Sequence, residues 1–322
     1  MRIQRGKNYT IDLFEEPKNV SNHKRTAAVT GPLTFTGAEL IEAIVSAGMP
    51  DVYLRKSERI KRKEEIDFKI KLFETFVASS KGGRLSFDAS RKKYLDSSEI
   101  AAIDYWLGMM LTTLLGQKKY NFKFLVHLSK VDQFSSKIFT KRHAFLPADS
   151  KIVPDLLAVG GSSKKRYGVF ESKGYSRYSK KAMEHAWDQA RSIDTVNGNP
   201  PTPKLAVMTV TGEKEIFIIE KDPDCEGCKL EVDLDIIYLY HLLPIAELIN
   251  ELEHEEKGDR MCGSLDFGDG QYSISIPSVL FRELFKIIES DQESFQDDPV
   301  FESFFGKLHS AEEAGKEILL VE

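Results

Sequence analysis

Two strand-like runs separated by a polar turn constrain the fold of this chain more than any other segment. The first run is 152–160 (IVPDLLAVG) and the second is 167–173 (YGVFESK), with the turn 161–166 (GSSKKR) between them. Apolar, β-branched runs on either side of a Gly/Ser-rich turn predict a β-hairpin.

Charged residues stand at matching places on the two predicted strands. Because side chains alternate along a strand, Glu171 and Lys173 share one face and Ser172 points to the other. The hairpin can bring Asp155, on the partner strand, beside Glu171. Two carboxylates and an ammonium on one sheet face are typical of an oxygen-ligand site for a hard divalent ion.

The pattern Pro154-Asp155 followed by Glu171-x-Lys173 resembles the PD-(D/E)XK nuclease superfamily. The flanking elements follow the order of that family's core, because helices are predicted at 97–116 and 179–196 and strands at 120–128, 204–211 and 215–220. The resemblance covers about Ser97 to Glu220. It implies an α/β (α+β) fold with a central mixed sheet flanked by helices, and N- and C-terminal additions.

The resemblance also implies a chemistry, the metal-dependent hydrolysis of DNA phosphodiester bonds. Asp155, Glu171 and the main-chain carbonyl of Ser172 would ligate Mg²⁺ or Mn²⁺, and Lys173 would orient the attacking water. Family members usually carry a further acid on the first core helix, for which Glu99 is the first choice and Asp104 the second. An alternative role for Glu99 is to complement the helix N-terminus.

On the second core helix the resemblance assigns a site residue to Gln189. Some groups of the family pair this glutamine with a tyrosine one turn later, whereas Ile193 stands at that place here. The departure argues against membership of those groups.

Charge around the hairpin favours contact with phosphates. Residues 130–181 contain twelve Lys/Arg and four Asp/Glu, whereas residues 247–302 contain fifteen acidic and four basic residues. A basic surface is what a DNA backbone requires, although each charged stretch also fits a solvated face. The predicted nucleic-acid-binding residues are Lys164, Lys165, Arg166, Tyr175, Arg177 and Lys180.

Cysteine and histidine give weaker signals. Cys225 and Cys228 form a CxxC pair, which with His241 and Cys262 could build a structural zinc site, but a lone CxxC is a weak indication. Three cysteines cannot build a disulfide framework. His127, in a strand rich in Phe and Leu, is predicted to be a core histidine.

We expect three regions: an N-terminal region of mixed structure (1–95), the nuclease core (96–222) and a mostly helical C-terminal accessory region (223–322). No apolar run approaches the ~20 residues of a membrane span, and the N-terminus lacks an apolar signal core. These features predict a cytoplasmic protein with no membrane association. The net charge of −5 argues against a protein that coats nucleic acid by bulk electrostatics.

The expected biological setting is prokaryotic defence against phage or other foreign DNA. A restraining or activating protein partner, such as an ATPase or helicase, or a homo-oligomer would suit such a nuclease. Three alternatives stay open: a nuclease of DNA repair or recombination, a catalytically silent nuclease-like module that binds nucleic acid or protein, and an assembly protein in which the motif is accidental.

Overall fold

The computed structural model describes residues 2–16, 28–47, 62–131, 144–145, 153–160, 166–212, 215–222, 227–267, 270–289, 299–315 and 317–322. In chain order, its strands are β1 (Asn8–Glu15), β2 (Ala28–Thr36), β3 (Val77–Ser79), β4 (Leu85–Phe87), β5 (Phe124–His127), β6 (Ala144–Phe145), β7 (Leu156–Gly160), β8 (Arg166–Tyr175), β9 (Ile193–Val196), β10 (Lys204–Thr211), β11 (Ile216–Lys221), β12 (Cys228–Val232), β13 (His254–Lys257), β14 (Arg260–Phe267), β15 (Gly270–Pro277) and β16 (Leu320–Val321). The helices are α1 (Gly37–Ser46), α2 (Arg62–Phe76), α3 (Ser97–Lys118), α4 (Lys180–Ala190), α5 (Leu234–Glu251), α6 (Ser278–Glu289) and α7 (Pro299–Glu313).

The largest sheet within these residues has seven strands in the order β2-β1-β11-β10-β8-β7-β5. The pairs β1–β11 and β10–β8 are parallel and the other neighbours are antiparallel, so the sheet is mixed. The predicted hairpin is present as β7 and β8, joined in register from Leu156 opposite Phe170 to Gly160 opposite Arg166.

Helices cover both faces of this sheet. Alternate residues of β10 and β11 point to opposite sides, so that Leu205 and Val207 join the main core beneath α3, while Ala206 and Met208 pack with Met183 of α4. Burial on both faces explains why the central strands are continuous apolar runs rather than alternating ones. The predicted mixed sheet flanked by helices is confirmed.

One predicted helix differs from the observed structure. The helix expected over 179–196 ends at Ala190, and Ile193–Val196 is the strand β9, which pairs in parallel with β12. The apolar residues Ile193 and Val196 are three positions apart, a spacing that suits a helix and a short buried strand alike. Pairing with the distant strand β12 decides between the two.

The region boundaries expected at 95/96 and 222/223 do not separate the hydrogen-bonded layers. Strands β1 and β2, from the N-terminal region, extend the seven-stranded sheet through the pairing of β1 with β11. The C-terminal region contains a sheet besides its helices, because β13, β14, β15 and β16 form a four-stranded antiparallel sheet on which α5 and α6 pack. None of the described helices has the length and apolar character of a membrane span.

A close contact between α3 and β8 fixes the helix over the hairpin. A Cβ atom on Gly174 would lie 1.7 Å from the main-chain oxygen of Asp104, and one on Gly108 would lie 3.1 Å from the main-chain nitrogen of Gly174. Because no side chain fits at Gly174, this glycine lets the two backbones touch. The contact places Asp104 and Tyr105 beside the end of β8.

We expect Gly174→Ala to lower the free energy of unfolding by about 3 kcal/mol, the upper end of the range for overpacking, because the added methyl meets backbone rather than a movable side chain. Urea denaturation measures the change. Gly82→Ala is the matched control, since its Cβ would approach no atom closer than 3.8 Å. Equal denaturation midpoints for the two variants would contradict the tight helix–strand contact.

Candidate active site

Asp155 and Glu171 lie side by side where β7 begins. The register of the hairpin, extended by one residue beyond Leu156 and Phe170, sets Asp155 opposite Glu171. The main-chain N–H of Asp155 donates to Glu171 Oε2 at 2.9 Å, and the N–H of Ser172 donates to Asp155 Oδ2 at 3.0 Å. These reciprocal hydrogen bonds hold both carboxylates in place across the two strands.

Lys173 completes the group predicted from the sequence. Its Nζ donates to Glu171 Oε1, and its side chain is 21% exposed. Ser172 points the opposite way, because its Oγ accepts a hydrogen bond at 3.0 Å from Thr112 Oγ1 on α3. The strand alternation inferred from the sequence is therefore observed, and Glu171 and Lys173 share a face.

The environment of Glu171 disfavours its charge. This side chain is 0% exposed. Burial, together with the neighbouring Asp155, raises the pKa of Glu171 to about 8 against the ordinary 4.5, although Lys173 opposes the shift. A buried carboxyl with a raised pKa beside a second carboxylate, at the edge of a cavity, is typical of functional sites.

A second Glu-x-Lys sequence in the chain shows what the motif alone provides. Glu255 and Lys257 on β13 are also paired, at 2.7 Å, but their side chains are 64% and 63% exposed. The main-chain partners of β13 are residues of β14, and the pair is an exposed ion pair of the kind that contributes little to stability. Burial and the neighbouring Asp155 distinguish the site on β8.

A cavity of about 470 Å³ opens beside this group. It is lined by the start of α3, by Asp155, and by the end of β8 with the turn that follows: Ser97, Ile100, Ala101, Asp104, Tyr105, Asp155, Ser172, Lys173, Gly174, Tyr175, Ser176 and Arg177. Tyr105 was not expected from the sequence. Burial is the largest cause that raises the pKa of its hydroxyl, and the charges of Asp155 and Glu171 raise it further.

Of the two acids considered on α3, Asp104 lines the cavity and Glu99 does not. Glu99 is exposed and completes a capping box with Asp96, the alternative role considered for it. The two acids are five residues apart, which turns them to different sides of a helix with 3.6 residues per turn.

Asp104 belongs to a largely buried network that ties three parts of the chain together. Its Oδ1 accepts from Lys92 Nζ at 2.7 Å and from Thr211 Oγ1 at 2.5 Å, and its Oδ2 accepts from Ser176 Oγ at 2.8 Å. Lys92 also donates to Ser176 and Thr211. Asp104 therefore fixes the wall of the cavity, and its oxygens are engaged by protein donors.

His127 and Gln189 contact Asp155 and the segment that leads into it. His127 is not a core histidine as expected, because its ring is 16% exposed and its Nε2 is 3.9 Å from Asp155 Oδ1. His127 stands at the end of β5, opposite Leu156. Because Leu156 follows Asp155, a strand-end histidine at this place is the signal that could have indicated its proximity to the site. Gln189 donates through Nε2 to the carbonyl of Val153 at 3.4 Å, so it supports the segment that leads into Asp155.

Only some of the predicted nucleic-acid-binding residues line the cavity. Tyr175 and Arg177 line the cavity. Arg166 begins β8, seven residues or about 23 Å from Lys173 along an extended strand, and its guanidinium packs 4.4 Å from the Phe122 ring. Lys180 pairs with Glu184 at 3.7 Å on α4. Lys164 and Lys165 lie outside the described residues.

The candidate zinc ligands do not come together in the described part of the chain. Cys225 lies outside it, and Cys228 is a free thiol on β12 whose pKa is raised by burial. His241 is buried in α5 with its ring 5.1 Å from that of Phe124, and burial lowers its pKa to about 4. Among the described residues no three His, Cys, Asp or Glu side chains converge as a metal-binding group.

Comparisons of the chain with protein-family models, with curated proteins and with solved structures found no match.

We expect Glu171→Gln to flatten the pH dependence of stability in metal-free solution. Because the folded-state pKa of Glu171 lies above its unfolded value of 4.5, its favourable contribution is complete below about pH 4.5 and is lost as the pH rises toward about 8. Relative to the variant, the wild type should lose about 3 kcal/mol between about pH 5 and pH 8.

Urea denaturation in the presence of a chelator, over that pH range, measures this difference. Glu255→Gln, on the exposed β13, is the control and should follow the wild type. Parallel profiles for Glu171→Gln and the wild type would show that the buried carboxyl carries no electrostatic penalty.

Proposed function

We propose that the protein is a metal-dependent nuclease that hydrolyses DNA phosphodiester bonds. The observation that carries the proposal is the convergence of Asp155, Glu171 and Lys173 on adjacent strands at the edge of a cavity. The order α3, β5, β7, β8, α4, β10 and the placement of α3 and α4 on opposite faces of the sheet also agree with the resemblance drawn from the sequence.

The donor set fits Mg²⁺ or Mn²⁺. Asp155 and Glu171 supply carboxylate oxygens and Ser172 a main-chain carbonyl, which are the hard ligands these ions prefer. Burial and the neighbouring Asp155 raise the pKa of Glu171, so that a bound cation would favour the charged form of this carboxylate. When bound, such an ion would supply Lewis-acid polarisation of the phosphate and a water of lowered pKa.

The chain's own residues then have separate tasks. Lys173, which lines the cavity and is held by Glu171, is placed to orient water and to stabilise negative charge that develops on the phosphate. The N–H groups of Asp155 and Ser172 keep the two carboxylates aligned. Arg177, on the cavity wall, is available to a phosphate oxygen.

A second candidate is a nuclease-like fold that binds DNA without cutting it. One observation favours it: both carboxylate oxygens of Glu171 accept hydrogen bonds from protein donors, Lys173 Nζ and the N–H of Asp155. In this alternative the three side chains form a structural cluster.

The proposed nuclease chemistry would serve defence against foreign DNA, the setting predicted from the sequence, or DNA repair.

We expect Asp155→Asn and Lys173→Ala each to lower the rate of DNA cleavage in Mg²⁺ or Mn²⁺ by at least about 100-fold, the scale of lost acid–base or electrostatic catalysis. Supercoiled and linear DNA are the substrates, so that nicking and end resection are distinguished by their products. Lys257→Ala, which removes the lysine of the exposed Glu-x-Lys pair, should cut as the wild type does.

Metal binding separates the two candidates. At saturating Mg²⁺, about 100 times the dissociation constant, the wild type should gain about 2.7 kcal/mol of stability and Asp155→Asn none of it. Binding without cleavage would favour the silent module. Cleavage that survives in Asp155→Asn, or the absence of both binding and cleavage, would contradict the nuclease proposal.

A further inference from the structure

Exposed aromatic side chains gather at the cavity. Five large hydrophobic side chains among the described residues are strongly exposed: Phe68, Tyr94, Tyr105, Tyr175 and Val279. Two of them, Tyr105 at 42% and Tyr175 at 41%, line the cavity that holds Asp155 and Lys173. Exposed tyrosines at the mouth of a charged cavity are suited to contact with a ligand that has both flat rings and negative charge.

Tyr105 is held in position by its neighbours. Its ring meets that of Trp106 edge-on at 5.5 Å, and Trp106 in turn meets Phe68 at 6.5 Å. The buried Lys69 lies 5.2 Å from the Trp106 ring. Phe68 is 54% exposed, so an aromatic surface continues from the cavity along α2 and α3.

The backbone of Tyr175 is fixed as well. It is the last residue of β8, opposite Val210 of β10, and its carbonyl accepts a hydrogen bond from Thr211. Since Thr211 is part of the Asp104 network, the loop that begins at Tyr175 is anchored to α3. Contacts with other parts of the chain therefore hold the elements that carry both tyrosines, and such preorganisation lowers the cost of ordering on binding.

Positive charge lines the same cavity as the two rings. Lys173 lines the cavity next to the carboxylates, and Arg177 lines it two residues after Tyr175. Arg177 is exposed, and none of the described carboxylates forms an ion pair with it. A wall that alternates aromatic rings with cations is the arrangement that single-stranded nucleic acid requires, because its bases stack and its phosphates pair.

The size of the cavity favours an unpaired strand. Its volume of about 470 Å³ falls within the range of about 300–1,000 Å³ of sites for small ligands. A base inside a duplex is covered on both faces by its neighbours, so that a tyrosine can stack on it only when the base is unstacked or flipped out.

We propose that Tyr105 and Tyr175 stack on unpaired bases next to the phosphate at the carboxylate pair, and that the substrate is single-stranded DNA. This inference rests on the proposed nuclease function and specifies its substrate class. Arg177 binds a backbone phosphate of the same strand. Phe68 and Trp106 extend the stacking surface beyond the cavity.

The test measures binding of a short fluorescent oligothymidylate by anisotropy, in a chelator, so that no cutting occurs. Tyr105→Leu and Tyr175→Leu should each weaken binding about tenfold, the loss expected for one stacked base. Tyr94→Leu is the matched control, since Tyr94 is 91% exposed and does not line the cavity, and it should bind as the wild type does.

An abasic oligonucleotide of the same length separates stacking from charge. It keeps the phosphates but offers no rings, so that the wild type, Tyr105→Leu and Tyr175→Leu should bind it equally. A duplex of the same length should bind weakly, and the tyrosine substitutions should not change that binding. Unchanged oligothymidylate binding by both tyrosine variants, or an equal loss on the abasic strand, would overturn the inference.

The two proposals fail separately. Cleavage of the oligothymidylate in Mg²⁺ should be lost in Asp155→Asn while binding is retained, which reports on the nuclease chemistry alone. If Asp155→Asn still cuts, the nuclease assignment fails whatever the tyrosines do. If Asp155→Asn is inactive but Tyr105→Leu and Tyr175→Leu bind the single strand normally, only the stacking inference fails. Thermal melting of each variant verifies that it is folded.

Discussion

The pairing of Asp155 with the fully buried Glu171 is the constraint on which the rest of this structure depends. Glu171 is fully buried and Asp155 stands across the hairpin from it, so that burial and the neighbouring carboxylate both disfavour the charge of Glu171. Three features counter that repulsion: the N–H groups of Asp155 and Ser172, and the ammonium of Lys173. A core designed for stability alone would place apolar residues here. That this core does not is the main physical reason to regard the group as functional.

The hairpin and its flanking elements could be predicted from the sequence because their signals are local. Apolar runs, a Gly/Ser-rich turn and helix-capping residues determine β7, β8 and α3 within short stretches of chain. The alternation of Glu171, Ser172 and Lys173 then follows from strand geometry, as does the position of Asp155. These inferences need no knowledge of distant residues.

Other features depend on contacts that sequence periodicity does not encode. Strand β9 exists because β12, more than thirty residues later, pairs with Ile193, and β1 joins the main sheet through β11 at the far end of the core. For the same reason, Tyr105 was not predicted at the site, and His127 was predicted as a core histidine. The place of Tyr105 follows from how closely α3 approaches Gly174, and that of His127 from the register of β5 against β7.

The network around Lys92 gives the N-terminal part of the chain a mechanical connection to the cavity. Lys92 precedes α3 in a short 3-10 helix, yet it is bonded to Asp104, to Ser176 beyond β8 and to Thr211 at the end of β10. These bonds join this helix to the loop that carries Tyr175 and Arg177. A molecule that binds the residues before Ser97 would thus act on the rim of the cavity without contacting Asp155 or Glu171.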